Sequence, residues 1–339
     1  MAIPLLSFTD HGIYCAKGGF YIDPWRPVDR ALITHGHSDH ARWGHASYLC
    51  THQALPVIRH RLGQIDVEGI AYGETLQIGA VRVSFHPAGH VPGSAQIRVE
   101  HGGEVWVVSG DYKVEDDGLS EAFAPVRCHT FISECTFGLP LFRWAPQADV
   151  AAQIAAWWQA NASEGRVSIL AAYGLGKAQR LMSMLPDVGP ILTHGAVEET
   201  TRILRDQGYI LPPTTRVVQG VDGTNHPGAL VIAPPAALGT PWAGRFGAYA
   251  EAFASGWMAL RGIRRRRGLG TGFVISDHAD WPGLNTAIRD TGAERVFVTH
   301  GYTVPFRRWL EDQGYDAGIV KTEFGGDEAA DLTEADEVV

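Results

Sequence analysis

Four side chains that can bind a metal ion lie within a span of six residues, and they are His35, His37, Asp39 and His40. They directly follow an apolar segment, residues 31–34, whose pattern predicts a β-strand. α/β proteins commonly bind ligands in the loops at the carboxyl ends of their strands. Imidazole suits zinc and neighbouring transition metals, and a carboxylate beside it indicates a catalytic site. The alternative, a surface loop with incidental metal affinity, explains neither the spacing nor the preceding strand.

Two more candidate ligands stand after predicted strands. His90 follows the strand predicted over 81–85, and Asp111 follows the strand predicted over 104–109. A lone His or Asp in such a position is more often a capping or hydrogen-bonded residue than a metal ligand. Together with the first cluster, however, these two residues supply the ligands that the metal site would still need.

The order of these residues resembles the metallo-β-lactamase superfamily: a His-x-His-x-Asp-His run, then Gly-His, then Gly-Asp. The resemblance implies two divalent transition-metal ions, zinc or manganese. It implies that the ligands are His35, His37 and His90 on one ion, Asp39 and His40 on the other, and Asp111 bridging the two. It also gives Asp23 the role of supporting the metal-binding loop from behind. Asp29, which lies in a proline-rich turn, is a rival for that role.

A long segment of mixed α/β pattern separates Glu134 from His278 and His300. This layout resembles the β-CASP nucleases, in which a cap domain is inserted into the metallo-β-lactamase fold. The resemblance implies that Glu134, His278 and Asp39 are catalytic and that His300 belongs to the metal site. Considered alone, Glu134, His278 and His300 could equally be capping or surface residues.

Several strings are similar to the bacterial ligase-associated DNA exonucleases of this family, namely ECTFGLP, AAYGLGKAQR, FASGWM and SDHADW. Two positions, 277 and 300, bear on the choice of substrate. Asp277 stands where the family often has Ala before the motif histidine, and it adds negative charge near the metal site. A histidine at position 300 is found in RNA-cleaving relatives, so it does not by itself favour DNA.

The predicted elements favour an α/β protein. Strands are predicted over 31–34, 81–85, 95–99, 104–109, 130–133, 167–172, 190–193, 229–233, 272–275 and 295–299. Helices are predicted over 148–160, 177–185, 197–206, 284–291 and 304–313. The resemblance implies a four-layer αββα metallo-β-lactamase fold with an inserted α/β β-CASP cap domain. The metallo-β-lactamase domain would comprise 1–142 and 269–322, the cap 143–268, and an acidic tail, expected to be disordered, 323–339.

Two basic regions are candidates for phosphate binding. Lys177 and Arg180 open a predicted helix after a glycine-rich turn, where backbone N–H groups favour anions. The turn lacks the Gly and Ser/Thr positions of a nucleotide-binding P-loop, so ATP use is not expected. The densest basic run is Arg264, Arg265, Arg266 and Arg267. A solvated basic face is the usual interpretation of such a run, and phosphate contact is the alternative that we favour.

The formal net charge of −9 is unusual for a nucleic-acid-binding protein. From Glu323 onward the chain carries seven acidic residues and no basic one, so the remainder has a net charge of −2 and could carry a local basic groove. The four cysteines are scattered and predict free thiols. No apolar run is long enough to span a membrane, and the first residues do not resemble a signal peptide, so we expect a cytoplasmic protein.

These features predict a metal-dependent phosphodiesterase that hydrolyses nucleic acid, in particular a DNA exonuclease of DNA repair, through water activated by two metal ions. The substrate would be DNA, with RNA as the alternative, and the resemblance implies association with a DNA ligase or helicase. Three other interpretations stay open: an RNA-processing β-CASP ribonuclease, a lactonase- or thioesterase-like hydrolase of small molecules, and a non-catalytic nucleic-acid-binding module.

Overall fold

The computed structural model describes residues 4–218, 220–221, 225–262 and 270–320. The run Arg264–Arg267 and the acidic tail lie outside these residues. The chain divides into two compact units. Their described residues are 4–116, 120–143 and 278–320 in the first, and 117–119, 144–218, 220–221, 225–262 and 270–277 in the second.

The first unit contains two mixed β-sheets, with strand orders β1-β2-β3-β4-β5-β6 and β19-β18-β11-β10-β9-β8-β7. The strands of the first sheet are β1 (Ser7–Thr9), β2 (Gly12–Cys15), β3 (Phe20–Ile22), β4 (Arg30–Leu32), β5 (Ser47–Thr51) and β6 (Val67–Ile70). Those of the second are β7 (Thr75–Ile78), β8 (Val81–Pro87), β9 (Ala95–His101), β10 (Glu104–Val108), β11 (Thr130–Cys135), β18 (Arg295–Gly301) and β19 (Asp316–Ile319). Its helices are α1 (Leu55–Leu62), α6 (Trp281–Thr291) and α7 (Thr303–Asp312).

One apolar core of the first unit joins side chains from both sheets. Ile22 and Leu32 come from the first sheet, and Val83, Ile97 and Val108 come from the second. All five are buried. Burial of this apolar surface is the main favourable contribution to folding, and it fixes the two sheets against each other.

Strand direction explains why loops distant in sequence meet. β11 pairs in parallel with β10 on one side and with β18 on the other. The carboxyl ends of parallel strands lie at the same edge of a sheet, so the residues that follow these three strands are neighbours. The loop after β4 reaches the second sheet, because the backbone N–H of Ala95 donates to the carbonyl of Thr34 at 2.8 Å.

The second unit contains one sheet in which every pairing is parallel, in the order β14-β13-β15-β12-β16-β17. Its strands are β12 (Val167–Ala171), β13 (Ile191–Thr193), β14 (Thr215–Arg216), β15 (Leu230–Ala233), β16 (Tyr249–Ala254) and β17 (Thr271–Phe273). Its helices are α2 (Gln147–Ser163), α3 (Lys177–Met184), α4 (Gly195–Asp206) and α5 (Pro241–Gly244), with short 3₁₀ turns at Pro235–Ala237 and Gly256–Ala259. The central strands β12 and β15 are buried at every position, as expected for a parallel sheet covered on both faces.

The predicted α/β class is confirmed, and every strand and helix predicted from the sequence is present within a few residues of its expected bounds. The helix predicted over 284–291 begins earlier, at Trp281, because the side chain of Asp280 caps it by accepting from the Gly283 N–H at 2.8 Å. The predicted free thiols are also confirmed, and all four are buried.

No helix within the described residues has both the length and the hydropathy needed to cross a membrane.

Candidate metal centre

Asp23 fixes the loop that carries the first four candidate ligands. Its Oδ1 accepts from the Thr34 N–H at 2.8 Å, and its Oδ2 accepts from the Thr34 hydroxyl at 2.6 Å and from His40 Nδ1 at 2.8 Å. These contacts hold the ring of His40 with Nε2 directed away from Asp23, as a supporting carboxylate does beside a metal-binding histidine. Asp29, the rival in sequence, is exposed, and its backbone carbonyl accepts from Ser47.

One group of candidate ligands combines His35, His37, His90 and Asp111, whose ligand atoms all lie within 4.8 Å of one another. His37 Nδ1 is 3.1 Å from His35 Nε2 and 3.1 Å from His90 Nε2. His35, His90 and Asp111 are buried. Three imidazoles and one carboxylate converging in this way suit zinc or a similar transition-metal ion.

A second group combines His35, Asp39 and His40. His40 Nε2 lies 3.4 Å from an oxygen of Asp39 and 3.4 Å from Asp111 Oδ2. Within the described part of the chain, His40 Nε2 and Asp39 Oδ1 are buried and make no hydrogen bond. Buried polar atoms normally have a partner, so these two atoms fit the requirement of a bound cation. Asp111 adjoins both groups, because its Oδ2 is also 3.6 Å from His35 Nε2 and 3.8 Å from His90 Nε2.

The charged side chains at the site shift one another's pKa values. Burial lowers the pKa of the His35 imidazole well below its usual range, and the neighbouring His40 lowers it further. His40 behaves in the opposite way: burial disfavours its charged form, but the carboxylates of Asp39, Asp111 and Asp23 together raise its pKa well above the usual value. Burial also disfavours the carboxylate of Asp111, yet His40 and other histidines outweigh it and lower that pKa. Ionised carboxylates are therefore in place to bind a cation.

Beside this cluster, His278 and Glu134 form a hydrogen-bonded pair. His278 Nδ1 lies 2.9 Å from Glu134 Oε1 and donates to it. The Glu134 side chain is fully buried and also accepts from the backbone N–H groups of Tyr112 and Thr136, each at 3.1 Å. These contacts fix Glu134, and they leave Nε2 as the His278 nitrogen that can exchange a proton with a ligand. The His278 ring is partly exposed and lies 4.6 Å from the ring of His90.

His300 lies beside the second group, with its ring stacked on that of His40 at 5.3 Å. It is outside the three groups whose ligand atoms converge, the third of which consists of Asp111, Glu134 and His278. Its backbone has a φ of 54°, and its carbonyl accepts from the Cys135 thiol at 2.9 Å.

A cavity adjoins His300 and the second group. Asp23, Trp25, Asp39, His40 and His300 are among the residues that line it.

Lys177 and Arg180, predicted to bind phosphate, are buried in the second unit. Lys177 Nζ lies 3.6 Å from Asp277, and Arg180 donates to Asp277 at 3.0 Å and to the Ser276 carbonyl at 2.6 Å. Sequence reasoning treated Asp277 as added negative charge and missed that it faces two cations. Phosphate binding by these two residues stays a prediction.

Sequence reasoning also missed Thr34, whose hydroxyl contacts Asp23 and lies 3.1 Å from His35 Nδ1. A hydroxyl residue directly before the first motif histidine was the available signal.

No family model matches the chain. A protein named probable DNA ligase from Opitutus terrae is 30% identical over 314 residues, which is 91% of this chain and 30% of that protein. Ribonuclease TTHA0252 from Thermus thermophilus is 26% identical, over 52% of this chain and 45% of the relative. Endoribonuclease YSH1 from Candida albicans is 29% identical over 123 residues, 36% of this chain and 14% of the relative. The chain thus spans less than half the length of these relatives.

A crystal structure of a protein of unknown function from Enterococcus faecalis superposes with a TM-score of 0.59. It is 10% identical and covers 87% of this chain and 80% of its own, so it supports the fold alone.

The sheets of the first unit and the convergent His and Asp side chains define a protein of the metallo-β-lactamase class. Glu134, His278 and His300 follow the first motifs in the family order, and relatives include ribonucleases matched over about half of this chain or less. The chain belongs to the β-CASP family of the metallo-β-lactamase superfamily.

Proposed function

We propose that this protein is a metal-dependent nuclease, and more narrowly a DNA exonuclease that acts in DNA repair. The observation that carries the proposal is the convergence of two candidate ligand groups on Asp111, beside the hydrogen-bonded pair of His278 and Glu134. A phosphodiester is anionic and hydrolyses slowly, so a site of this kind must offset negative charge and handle protons, and these groups can do both.

The proposed cofactor is a pair of divalent transition-metal ions, zinc or manganese. His35, His37 and His90 would hold one ion, Asp39 and His40 the other, and Asp111 both, with His300 beside the second. When bound, such ions would activate water at neutral pH and neutralise charge on the phosphate. The protein's own contribution is to hold these side chains in place, which Asp23 supports through Thr34 and His40.

In this proposal His278 donates a proton to the leaving oxygen, and Glu134 orients its ring. Glu134 accepts the Nδ1 hydrogen, so the proton available for transfer would be on Nε2. The buried carboxylate would also stabilise the ring in its charged form before the transfer.

We further propose that the first unit has the four-layer αββα arrangement and that the second is the inserted β-CASP cap. Support comes from the apolar core that joins the two sheets of the first unit, and from the separate parallel sheet of the second. The domain boundaries 1–142, 143–268 and 269–322 are proposed on the same basis.

DNA is favoured by the relative named probable DNA ligase, which matches 91% of this chain. That name also motivates a proposed association with a DNA ligase, whereas association with a helicase rests on the family resemblance alone. RNA is the second candidate, because the relatives from Thermus thermophilus and Candida albicans are named ribonucleases.

Digestion of end-labelled single-stranded DNA and RNA of the same sequence, with zinc or manganese added, would test the proposal. We expect shortening of DNA from one end, seen as a ladder on a denaturing gel, and loss of activity with a chelator. Cleavage of RNA alone would replace the DNA assignment by the second candidate. Cleavage of neither, together with hydrolysis of a lactone or thioester, would contradict the proposal of a nuclease.

Replacement of His278 by Ala tests the proton donor. We expect cleavage to fall by about 10²- to 10⁴-fold, the usual contribution of a general acid, while metal content measured by elemental analysis stays unchanged. The matched control is His101→Ala, at the end of β9, which should retain full activity. Full activity of His278→Ala would show that the acid has been assigned wrongly.

A further inference from the structure

Trp43 exposes an indole to solvent just beyond the first metal-binding motif. Its exposure is 75%, the highest of any tryptophan or phenylalanine within the described residues. An exposed indole close to a candidate active site offers a flat aromatic face on which a ligand can pack.

The loop around Trp43 is held by contacts of the residues before and after Trp43 in the sequence. The Tyr48 hydroxyl donates to the Arg42 carbonyl at 2.9 Å and accepts from the His45 N–H at 3.0 Å. Gly44, at a φ of 104°, packs so that a Cβ there would lie 3.4 Å from Pro27. The indole is therefore displayed by a fixed backbone, and a ligand stacking on it would not have to order the loop.

These contacts also place Trp43 beside the candidate metal centre. Its neighbour Arg42 donates to the Trp25 carbonyl at 3.3 Å, and Trp25 lines the same cavity as Asp39 and His40. Only two residues separate Trp43 from His40, so the Cα atoms of these two residues lie at most about 11 Å apart.

A cation lies on the other side of the same motif. Arg61, at the end of α1, donates to the carbonyl of Gly36 at 2.7 Å, between His35 and His37. Arg61 is exposed, and the last turn of α1 also carries Arg59 and His60. Positive charge on this helix is complementary to a polyanion that reaches the site.

We propose that Trp43 stacks on an unpaired base of a nucleic-acid strand whose phosphates pass Arg61. This inference rests on the proposed nuclease function and specifies its substrate as single-stranded near the cleavage point. An unpaired base offers a free aromatic face, whereas the bases inside a duplex are covered by their neighbours. Stacking on an aromatic side chain is tolerant of sequence, so Trp43 would position the strand without selecting bases.

The test compares two oligonucleotides of equal length, one with bases and one abasic throughout. Both carry phosphorothioate linkages to resist hydrolysis and a fluorescent end label, and the metal-loaded protein is titrated against them. We expect Trp43→Ala to weaken binding of the base-bearing strand by about 5- to 150-fold and to leave binding of the abasic strand unchanged. Trp43→Phe, which keeps an aromatic face, should recover most of the loss.

The matched control is Ile210→Ala, which removes an apolar side chain that is 92% exposed in the second unit and should bind both strands like the wild type. Equal binding of the base-bearing strand by wild type and Trp43→Ala would overturn the inference and point to a protein partner as the occupant of this surface. Equal losses of affinity for the base-bearing and the abasic strand in Trp43→Ala would also overturn the inference. If the wild type cleaves unmodified DNA or RNA in either case, the proposal of a metal-dependent nuclease survives without the inference about Trp43. If it neither cleaves nor binds nucleic acid, both proposals fail.

Discussion

The carboxylate of Asp111 lies within 3.8 Å of imidazole nitrogens from His35, His40 and His90. Without a metal ion, much of its charge is balanced by a proton on His40, whose pKa is raised well above normal by the surrounding carboxylates. A metal ion at this position has to displace that proton, so metal affinity should increase with pH. The same electrostatic coupling that prepares the carboxylates thus makes metal binding sensitive to acid.

His45 allows a test of stability against pH at a single residue. It is 7% exposed, and burial, followed by the charge of Arg42, lowers its pKa from 6.5 to about 4. The unfolded chain would take up a proton near pH 6.5, whereas the folded protein takes it up only near pH 4. The free energy of unfolding should therefore fall as the pH is lowered from 6.5 to 4.

His45→Phe, which keeps the ring against Tyr48 but cannot bind a proton, should show a shallower fall. Urea unfolding at several pH values would measure both curves. If the wild-type and His45→Phe curves ran parallel over this interval, the buried neutral state of His45 would be wrong.

The spacing of His35, His37, Asp39 and His40 was enough to predict that these side chains lie close together as candidate metal ligands, because neighbouring positions of one loop need no knowledge of the fold to be placed together. Thr34 and Cys135 were not predicted. Their roles depend on partners that are distant in sequence, Asp23 for Thr34 and the His300 carbonyl for Cys135. A local pattern can mark a residue such as Thr34 as a neighbour of the site, but it does not identify the distant partner.

Among the elements, strands rich in Val, Ile and Phe were predicted well, because their apolar runs are typical of buried strands. Nine of the described strands were not predicted, namely β1, β2, β3, β5, β6, β7, β14, β16 and β19. Two of them, β16 and β19, show a physical reason. β16 contains three alanines in six residues and β19 contains a glycine, and both residue types are rare in strands. Their strand state is imposed by parallel pairing with β12 and β18.

Gly110 precedes Asp111 after the end of β10, and it packs against Thr34 in the loop that carries His35, His37, Asp39 and His40. Its φ is 57°, and a Cβ there would lie 2.6 Å from the Cβ of Thr34. Gly110→Ala should therefore push these loops apart, destabilise the protein by about 1–3 kcal/mol and weaken metal binding.

The matched control for this substitution is Gly102→Ala, because Gly102 has nearly the same φ, 58°, but nothing within 4 Å of its Cβ position. Gly102→Ala should lose only the stability that a positive φ costs a residue with a Cβ, and it should bind metal like the wild type. Denaturant unfolding and metal titration would measure both variants, and equal metal affinity in the two would refute steric coupling of the loops.

At the scale of the whole molecule, the first unit is assembled from segments on both sides of the second unit in the sequence. Residues 278–320 return to add β18 and β19 to a sheet begun about 200 residues earlier. Pattern alone predicted the individual strands but not that they share a sheet, because strand pairing is non-local. The family resemblance was the only source of that expectation.

Metal binding should stabilise the whole protein, because a preformed set of buried ligands binds the ion only in the folded state. At a free metal concentration 100 times the dissociation constant, the stabilisation would be about 2.7 kcal/mol, seen as a higher midpoint of thermal unfolding.

Asp111→Asn should remove most of the stabilisation by metal, because Asp111 adjoins both groups of candidate ligands. Replacement of the exposed Asp66 by Asn should preserve the gain. A metal-induced rise in Asp111→Asn as large as in the wild type would exclude Asp111 as a shared ligand.

Within the described residues, Asp23 and His300 are the two non-glycine positions with positive φ, at 42° and 54°, and both line the cavity beside His40. Each such conformation costs of order 1–3 kcal/mol, which the surrounding structure has to offset. Glycine at either position would relieve that cost while removing a carboxylate or an imidazole. A laboratory selection for thermal stability alone should therefore favour glycine at these two positions. The selected proteins would unfold at higher temperature but bind metal less well.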